Sequence, residues 1–148
     1  MKKVKDLMST NIIAVLPSDS VMEAAVLMSE NHIGALPVVS AGEVKGMITD
    51  RDIILRCVSK NKDVKNVKAS EIMSNDIAFV TPEQSINDAA EIMAQEQVRR
   101  LPVLNEGYID GMISLADIAR QGADPEIAKT ICEISKSNIG YNGALKLR

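Results

Sequence analysis

The chain has 148 residues, of which 46% are hydrophobic and 25% charged, so it has enough apolar material for a compact core and does not resemble a disordered segment. Two tyrosines, one phenylalanine and a net charge of −3 exclude the stacking platforms and basic surface typical of nucleic-acid binding. The short apolar runs and the Met1-Lys2-Lys3 start predict a cytoplasmic protein with no membrane segment. Cys57 and Cys132 form no C-x-x-C pair, so no metal site is expected.

The chain contains an internal repeat. At an offset of 65 positions, residues 5–56 align with residues 70–121 without a gap, and 18 of the 52 positions are identical. We therefore predict a first motif in residues 1–62, which includes a lead-in and the start of a connector. A second motif follows in residues 63–121, and a C-terminal helix and tail occupy residues 122–148.

Charge is distributed along the same boundaries. The first repeat has 4 basic and 7 acidic residues, a net charge of −3, and the second has 3 and 9, a net charge of −6. Residues 57–69 contain four lysines and one aspartate, a net charge of +3. Two acidic repeats are thus joined by a basic connector.

Each repeat begins with a predicted strand and a capped helix. In the first repeat, residues 12–15 are an apolar run that ends before Pro17, as expected of a short strand. Ser20 and Glu23 form a capping-box pattern at the start of a helix. In the second repeat Ser85 occupies the cap position, with the shorter Asp88 three residues later.

Two strands and a second helix complete each repeat. After Gly34, residues 36–39 and 44–48 predict strands around a turn at Gly42, and a helix is expected from about Asp50. The second repeat predicts the same series, with its last helix from about Leu115. The fold class is therefore α/β (α+β), with two tandem βαββα motifs. Because 52 residues are few for an independent fold, we expect the motifs to pack about a pseudo-twofold axis.

The tail has a helix-start signal of its own. Asp124-Pro125 combines an N-cap residue with proline at the first helical position. Ile127, Ile131 and Ile134 then follow at helical spacing. This predicted helix is expected to pack on the module or across a dimer, and the alternative is a helix that binds a functional partner.

Both repeats close on the pattern G-h-h-[ST]-x-x-D, in residues 46–52 and 111–117. Thr49 and Ser114 are placed to cap a helix whose first amides favour a phosphate, and Asp52 and Asp117 are placed to accept two hydrogen bonds from a vicinal diol such as ribose. The same pattern is also a plain capping box. The pattern by itself leaves both interpretations open.

Four motifs recur together: Met-Ser at the start, a proline after the first strand, Leu-Pro-Val, and the closing pattern. In this combination the chain resembles tandem CBS motifs, a pair of which is called a Bateman module, over residues 4–121. The resemblance implies a regulatory, non-catalytic module without a catalytic cofactor. It also implies that an adenosine-containing regulatory ligand, such as AMP, ADP, ATP or S-adenosylmethionine, binds in inter-motif clefts.

The resemblance also implies residue roles. Asp52 and Asp117 would hold the ribose, and Thr49 and Ser114 would approach the phosphate. Each cleft would use residues of the other repeat: Ala78, Val98, Arg99 and Arg100 for the Asp52 cleft, and Ile13, Ile33, Gly34 and Ala35 for the Asp117 cleft. Because arginine suits phosphate, the Asp52 cleft is expected to hold the more highly charged ligand.

An enzyme is disfavoured because no catalytic motif is present and the single histidine, His32, aligns with Gln97. An interaction module with vestigial, empty clefts stays open, because capping alone explains the same four residues. The resemblance further implies a homodimer formed through exposed helices, with a separate and unidentified protein as the regulated partner.

Overall fold

The computed structural model describes residues 2–120 together with Lys129, Cys132 and Glu133. The tail helix predicted from Asp124, with Ile127, Ile131 and Ile134, lies outside the described residues. The described helices are α1 Val4–Leu7, α2 Val21–Asn31, α3 Asp50–Arg56, α4 Ala69–Ile72, α5 Ile86–Glu96 and α6 Leu115–Ala119, with a 3-10 helix at Val58–Lys60. The strands are β1 Ala35–Ser40, β2 Glu43–Thr49, β3 Arg100–Asn105 and β4 Tyr108–Ser114.

The chain divides into two compact units, each named here after the repeat that supplies most of it. The first-repeat unit contains residues 11–77 and 106–109. The second-repeat unit contains residues 1–10 and 78–105, together with the described chain from residue 110. The mixed helix-and-strand architecture confirms the predicted fold class.

The hairpin in each repeat follows the predicted pattern. β1 pairs antiparallel with β2, and Ala35 lies opposite Thr49. β3 hydrogen-bonds with β4 in the same way. Each turn has two consecutive left-handed residues, Ala41 (φ 52) and Gly42 (φ +81) in the first and Glu106 (φ 52) and Gly107 (φ +86) in the second, and the glycine adopts this conformation without steric cost. β2 also pairs with β4 where Glu43 faces Tyr108, both within the first-repeat unit.

The predicted first strand of each repeat is reduced to one parallel bridge. Val15 pairs with Val38, and Val80 pairs with Val103. Val15 donates its amide to the Pro37 carbonyl at 3.1 Å and accepts from Val39 at 2.8 Å. The next bond toward Ile13 would need an amide on Pro37, which proline lacks, so the pairing stops there.

Each unit has its own apolar core, which residues of the other repeat help to fill. Val4 of α1 is fully buried in the core of the second-repeat unit, whereas Ala69 and Ile72 of α4 are buried in that of the first-repeat unit. The residues that open one repeat thus pack on the body of the other. We call residues 2–10 and 67–74 the lead-in segments.

Backbone hydrogen bonds hold the two lead-in segments in equivalent ways. Val4 donates to the Gln84 carbonyl at 2.9 Å, and Ala69 donates to the Asp19 carbonyl at 2.7 Å. Farther along, Ser9 pairs with Met112 and Ser74 pairs with Met47. Each Met-Ser start is thereby attached to the strand that carries the other repeat's closing motif.

The close approach of the lead-in backbone to each strand explains two glycines of the closing motifs. A Cβ atom on Gly111 would lie 2.7 Å from the Ser9 carbonyl oxygen and 2.9 Å from the Met8 sulfur. A Cβ atom on Gly46 would lie 2.7 Å from the Ser74 carbonyl oxygen. Any side chain would therefore displace the lead-in segment from its strand.

Among the described residues, none of the helices combines the length and the apolar character that a membrane crossing needs.

Candidate functional site

The first candidate site lies where β2 ends and α3 begins. Thr49 is the N-cap: its Oγ1 accepts from the Asp52 amide at 3.0 Å, and Asp52 Oδ2 accepts from the Thr49 amide at 3.0 Å. The capping interpretation of this pair is therefore confirmed. It uses only one oxygen of the carboxylate.

The second oxygen of Asp52 has a weaker contact. Asp52 Oδ1 lies 3.7 Å from Nε of Arg56, which is beyond a good hydrogen bond, and the two side chains are 12% and 52% exposed. Asp52 therefore keeps one carboxylate oxygen in the capping box and has the other beside the exposed guanidinium of Arg56. A diol can compete for this oxygen, because the contact with Arg56 is longer than a hydrogen bond and the guanidinium is exposed.

The second candidate site repeats this geometry at the junction of β4 and α6. Ser114 Oγ accepts from the Asp117 amide at 3.1 Å, and Asp117 Oδ2 accepts from the Ser114 amide at 2.9 Å. Asp117 Oδ1 lies 3.4 Å from Nη2 of Arg120, and the aspartate side chain is 21% exposed. Sequence analysis did not identify Arg56 and Arg120, because they follow their aspartates at different spacings and do not align.

The residues before each Leu-Pro-Val segment lie beside the closing motif of their own repeat. Asp50 donates its amide to the Gly34 carbonyl at 2.9 Å, and Leu115 donates to the Arg99 carbonyl at 2.8 Å. In each unit, the closing motif is therefore joined to the segment before Leu-Pro-Val of its own repeat. In the first-repeat unit Gly34 makes this contact and Ala35 pairs with Thr49. In the second-repeat unit Arg99 makes it, and Arg100 begins β3, which pairs with β4.

The remaining predicted lining residues are partly buried. Ile13 and Ile33 pack against the core of the first-repeat unit, and Ala78 and Val98 against that of the second-repeat unit. The assignment of each group to the aspartate of the other repeat stays a prediction.

The single histidine has a structural role. His32 ends α2 in the left-handed conformation with φ 53, and its counterpart Gln97 ends α5 with φ 55. The amide of His32 donates to the Met28 carbonyl, and that of Gln97 to the Met93 carbonyl. Both positions are helix C-caps. Within the described chain, no cluster of three or more His, Cys, Asp or Glu is placed to hold a metal ion.

Comparison with known proteins identifies both repeats. The family described as "CBS domain" matches residues 4–59 and 69–124. The chain is 39% identical over 140 residues to the CBS domain-containing protein YhcV of Bacillus subtilis, covering 94% of this chain and 99% of YhcV.

Two solved structures extend the comparison. Hypoxic response protein I, solved with two coordinated zinc ions, matches with a TM-score of 0.74 and 33% identity over 82% of this chain and 100% of that one. Hypoxic response protein 1 of Mycobacterium tuberculosis is 33% identical to this chain over 136 residues, covering 89% of this chain and 95% of that one. The CBS domain pair of protein MJ0100, in complex with 5'-methylthioadenosine and S-adenosylmethionine, matches with a TM-score of 0.72 and 27% identity over 82% of this chain and 95% of that one.

Proposed function

The chain belongs to the CBS-domain family, and from this premise we propose that it is a regulatory module that binds an adenosine-containing ligand at Thr49/Asp52 and at Ser114/Asp117. The ligand class includes AMP, ADP, ATP and S-adenosylmethionine. Binding biases the conformation of the module and thereby signals energy or metabolite status to a partner protein. A ligand shifts such an equilibrium only by its difference in affinity for the two states.

This proposal rests on one observation: the two carboxylate oxygens of each aspartate make different contacts. One oxygen completes the capping box, and the other lies 3.7 Å from Arg56 in one site and 3.4 Å from Arg120 in the other. A ribose diol supplies two O–H donors, and bonds to a charged acceptor are stronger than neutral ones. The complex of MJ0100 with two adenosine-containing ligands supports the same ligand class.

A thermal-shift panel tests the proposal. Wild-type protein is heated with AMP, ADP, ATP, S-adenosylmethionine or 5'-methylthioadenosine, because a ligand that binds only the folded state stabilises it by about 2.7 kcal/mol at a hundred times Kd. Asp52→Asn and Asp117→Asn are the informative variants. Asparagine keeps an oxygen for the cap but puts an NH2 group where the second oxygen was, so it cannot accept from the diol.

Glu23 offers a matched control. It completes the same kind of capping box at α2, where its Oε2 accepts from the Ser20 amide at 2.9 Å. Glu23→Gln is expected to leave every ligand-induced shift unchanged, whereas the double variant Asp52→Asn/Asp117→Asn abolishes them. Absence of a shift with all five ligands in the wild-type protein would contradict the proposal.

An interaction module with unused sites is the second candidate, favoured by an exposed apolar surface on α3 and the following 3-10 helix. Ile54, Leu55 and Val58 are 57%, 47% and 56% exposed. We infer that helices of this kind join two copies into a homodimer. Ile54→Glu/Val58→Glu is expected to lower the mass measured by light scattering from dimer to monomer. A dimer that persists in this variant would exclude the surface as the interface.

A further inference from the structure

Arg56 contacts two parts of the first-repeat unit that are distant in sequence. Its Nε lies 3.7 Å from Oδ1 of Asp52, the aspartate of the first candidate site. Its Nη1 donates to the carbonyl of Ile72 at 3.1 Å and to that of Met73 at 3.4 Å. One guanidinium thus connects the candidate site with the lead-in segment of the second repeat, residues 67–74.

The two carbonyls lie at the C-terminal end of α4, where the helix supplies no donor of its own. Ile72 is the last residue of α4, and Met73 is its C-cap. The last carbonyls of a helix have no partner within the helix, and arginine side chains commonly donate to them. Arg56 reaches these carbonyls from the end of α3. It therefore fixes the end of one helix to the other.

The same lead-in segment is attached to the strand that carries the closing motif. Ser74 donates its amide to the Met47 carbonyl at 2.8 Å and accepts from the Met47 amide at 2.9 Å. The chain leaves the first-repeat unit after Ile77. Residues 67–74 are therefore the part of the first-repeat unit through which the chain enters the second repeat, and Arg56 holds them beside Asp52.

Asp52 and the α4 carbonyls share a single donor group. The guanidinium of Arg56 is planar and rigid, so its Nε cannot approach the carboxylate without a movement of Nη1 as well. The contact with Asp52 is too long for a hydrogen bond, and the bond to Met73 is at the long end of the range. The two sets of acceptors therefore compete for the guanidinium, and neither set is fully bonded.

We propose that Arg56 transmits occupancy of the Thr49/Asp52 site to the lead-in segment of the second repeat. This inference rests on the proposed function. A ribose diol that donates to Asp52 Oδ1 removes this oxygen as an acceptor, and the guanidinium then bonds more fully with the Ile72 and Met73 carbonyls. Ligand binding thereby tightens the segment that leads into the second repeat. Because such coupling is reciprocal, a tightened segment also favours the ligand.

Hydrogen exchange tests this coupling in an Asp117→Asn protein, in which the first site is intact. The probes are the five ligands of the thermal panel, which all carry a ribose diol. The reporters are the amides of Met73 and Ser74, which donate to the carbonyls of Ala69 and Met47. Any probe that binds is expected to slow their exchange about fivefold more than that of α2 amides, the effect of one strengthened hydrogen bond. The α2 amides report the general stabilisation by a bound ligand.

Substitutions of Arg56 separate transmission from a purely structural role. Arg56→Met should remove the additional protection of Met73 and Ser74, although calorimetry still detects binding of the probe. A structural role alone would lower protection equally with and without the probe. Arg56→Lys keeps the charge but lacks the planar fork, so it should also lose the additional protection, and it replaces Arg56→Met if circular dichroism shows that variant unfolded. Arg51→Met is the matched control, because it removes an exposed arginine of the same helix and should retain the effect.

The outcomes separate this inference from the proposed function. Additional protection that persists in both Arg56 variants would overturn the inference alone. So would exchange of Met73 and Ser74 that slows only as much as that of α2, or binding that is lost entirely in the Asp117→Asn protein. Binding of none of the five ligands to the wild-type protein would overturn the proposed function and this inference with it.

Discussion

Glu83 makes two short ion pairs with the first lead-in segment. Its Oε2 lies 2.6 Å from Lys3 Nζ, and its Oε1 lies 2.7 Å from Lys5 Nζ. Hydrogen bonds from these lysines lower the pKa of Glu83 to about 2. The first-repeat unit has Ser18 at the aligned position, so its lead-in segment is held without this contact.

The lowered pKa of Glu83 predicts a pH dependence of unfolding. Because the folded pKa lies below the usual 4.5, the contribution of this group to the free energy of unfolding is present above pH 4.5 and is lost as the pH falls toward 2. The effect is small, since all three side chains are exposed and salt screens them. Carboxyl NMR of Glu83 should show the low midpoint, and Glu83→Gln should remove this part of the pH dependence.

Lys3→Met/Lys5→Met provides the matching control. These changes leave the carboxylate in place and remove both hydrogen-bond donors, so the midpoint of Glu83 should return toward 4.5. High salt should have the same direction of effect on the wild-type protein. A midpoint near 4.5 in the unmodified chain at low salt would rule out the ion pairs as described.

At the scale of elements, the two glycines of the closing motifs give the sharpest prediction. A Cβ atom on Gly111 meets a backbone carbonyl at 2.7 Å, and backbone cannot move aside as a flexible side chain does. We expect Gly111→Ala to lower the free energy of unfolding by about 1–3 kcal/mol, the usual cost of overpacking. Gly46→Ala should cost a similar amount, and urea unfolding measures both.

A glycine outside this contact serves as the control. A Cβ atom on Gly107 would meet nothing within 4 Å, although its φ of +86 disfavours most other residues. Asparagine tolerates the left-handed region, so Gly107→Asn should lower the free energy of unfolding far less than Gly111→Ala does. If Gly111→Ala were as mild as Gly107→Asn, close approach of the lead-in segment would not explain the motif.

Local signals predicted α2, α3, α5, α6 and the hairpins, but not the short helices α1 and α4. Ser20/Glu23, Thr49/Asp52 and Ser114/Asp117 all form the capping boxes that their spacing predicts, because a cap involves residues only three apart. The first strands were predicted too long. Pairing depends on which strand lies alongside, and Pro37 and Pro102 interrupt the hydrogen bonds there.

The position of the lead-in segments was not predictable from local sequence. Met8-Ser9 and Met73-Ser74 are identical, so neither pair indicates which repeat it packs on. The contact of Asp50 with Gly34 is hidden for the same reason, because the two residues are 16 positions apart and meet only when β1 and β2 pair. At Asp52 and Asp117, by contrast, the sequence predicted the capping bond of one carboxylate oxygen. It did not predict the weak contact of the other oxygen with arginine.

At the scale of the whole molecule, exchange of the lead-in segments makes each unit depend on the chain of the other repeat. The second-repeat unit buries Val4 and pairs Ser9 with Met112, while the first-repeat unit buries Ala69 and Ile72. Burial of a valine contributes about 2 kcal/mol. Loss of residues 1–10 should therefore destabilise the second-repeat unit specifically, although those residues belong to the first motif in sequence.

Hydrogen exchange measures this dependence unit by unit. In a chain lacking residues 1–10, amides of α5 should lose protection far more than amides of α2, because α5 packs in the core that Val4 completes. Val4→Ala should reproduce the direction of the effect with a smaller magnitude. Ile72→Ala is the reciprocal control and should weaken protection of α2 more than that of α5, since Ile72 is buried in the core of the first-repeat unit. Equal loss of protection in both helices would show that the lead-in segments stabilise the chain without belonging to particular units.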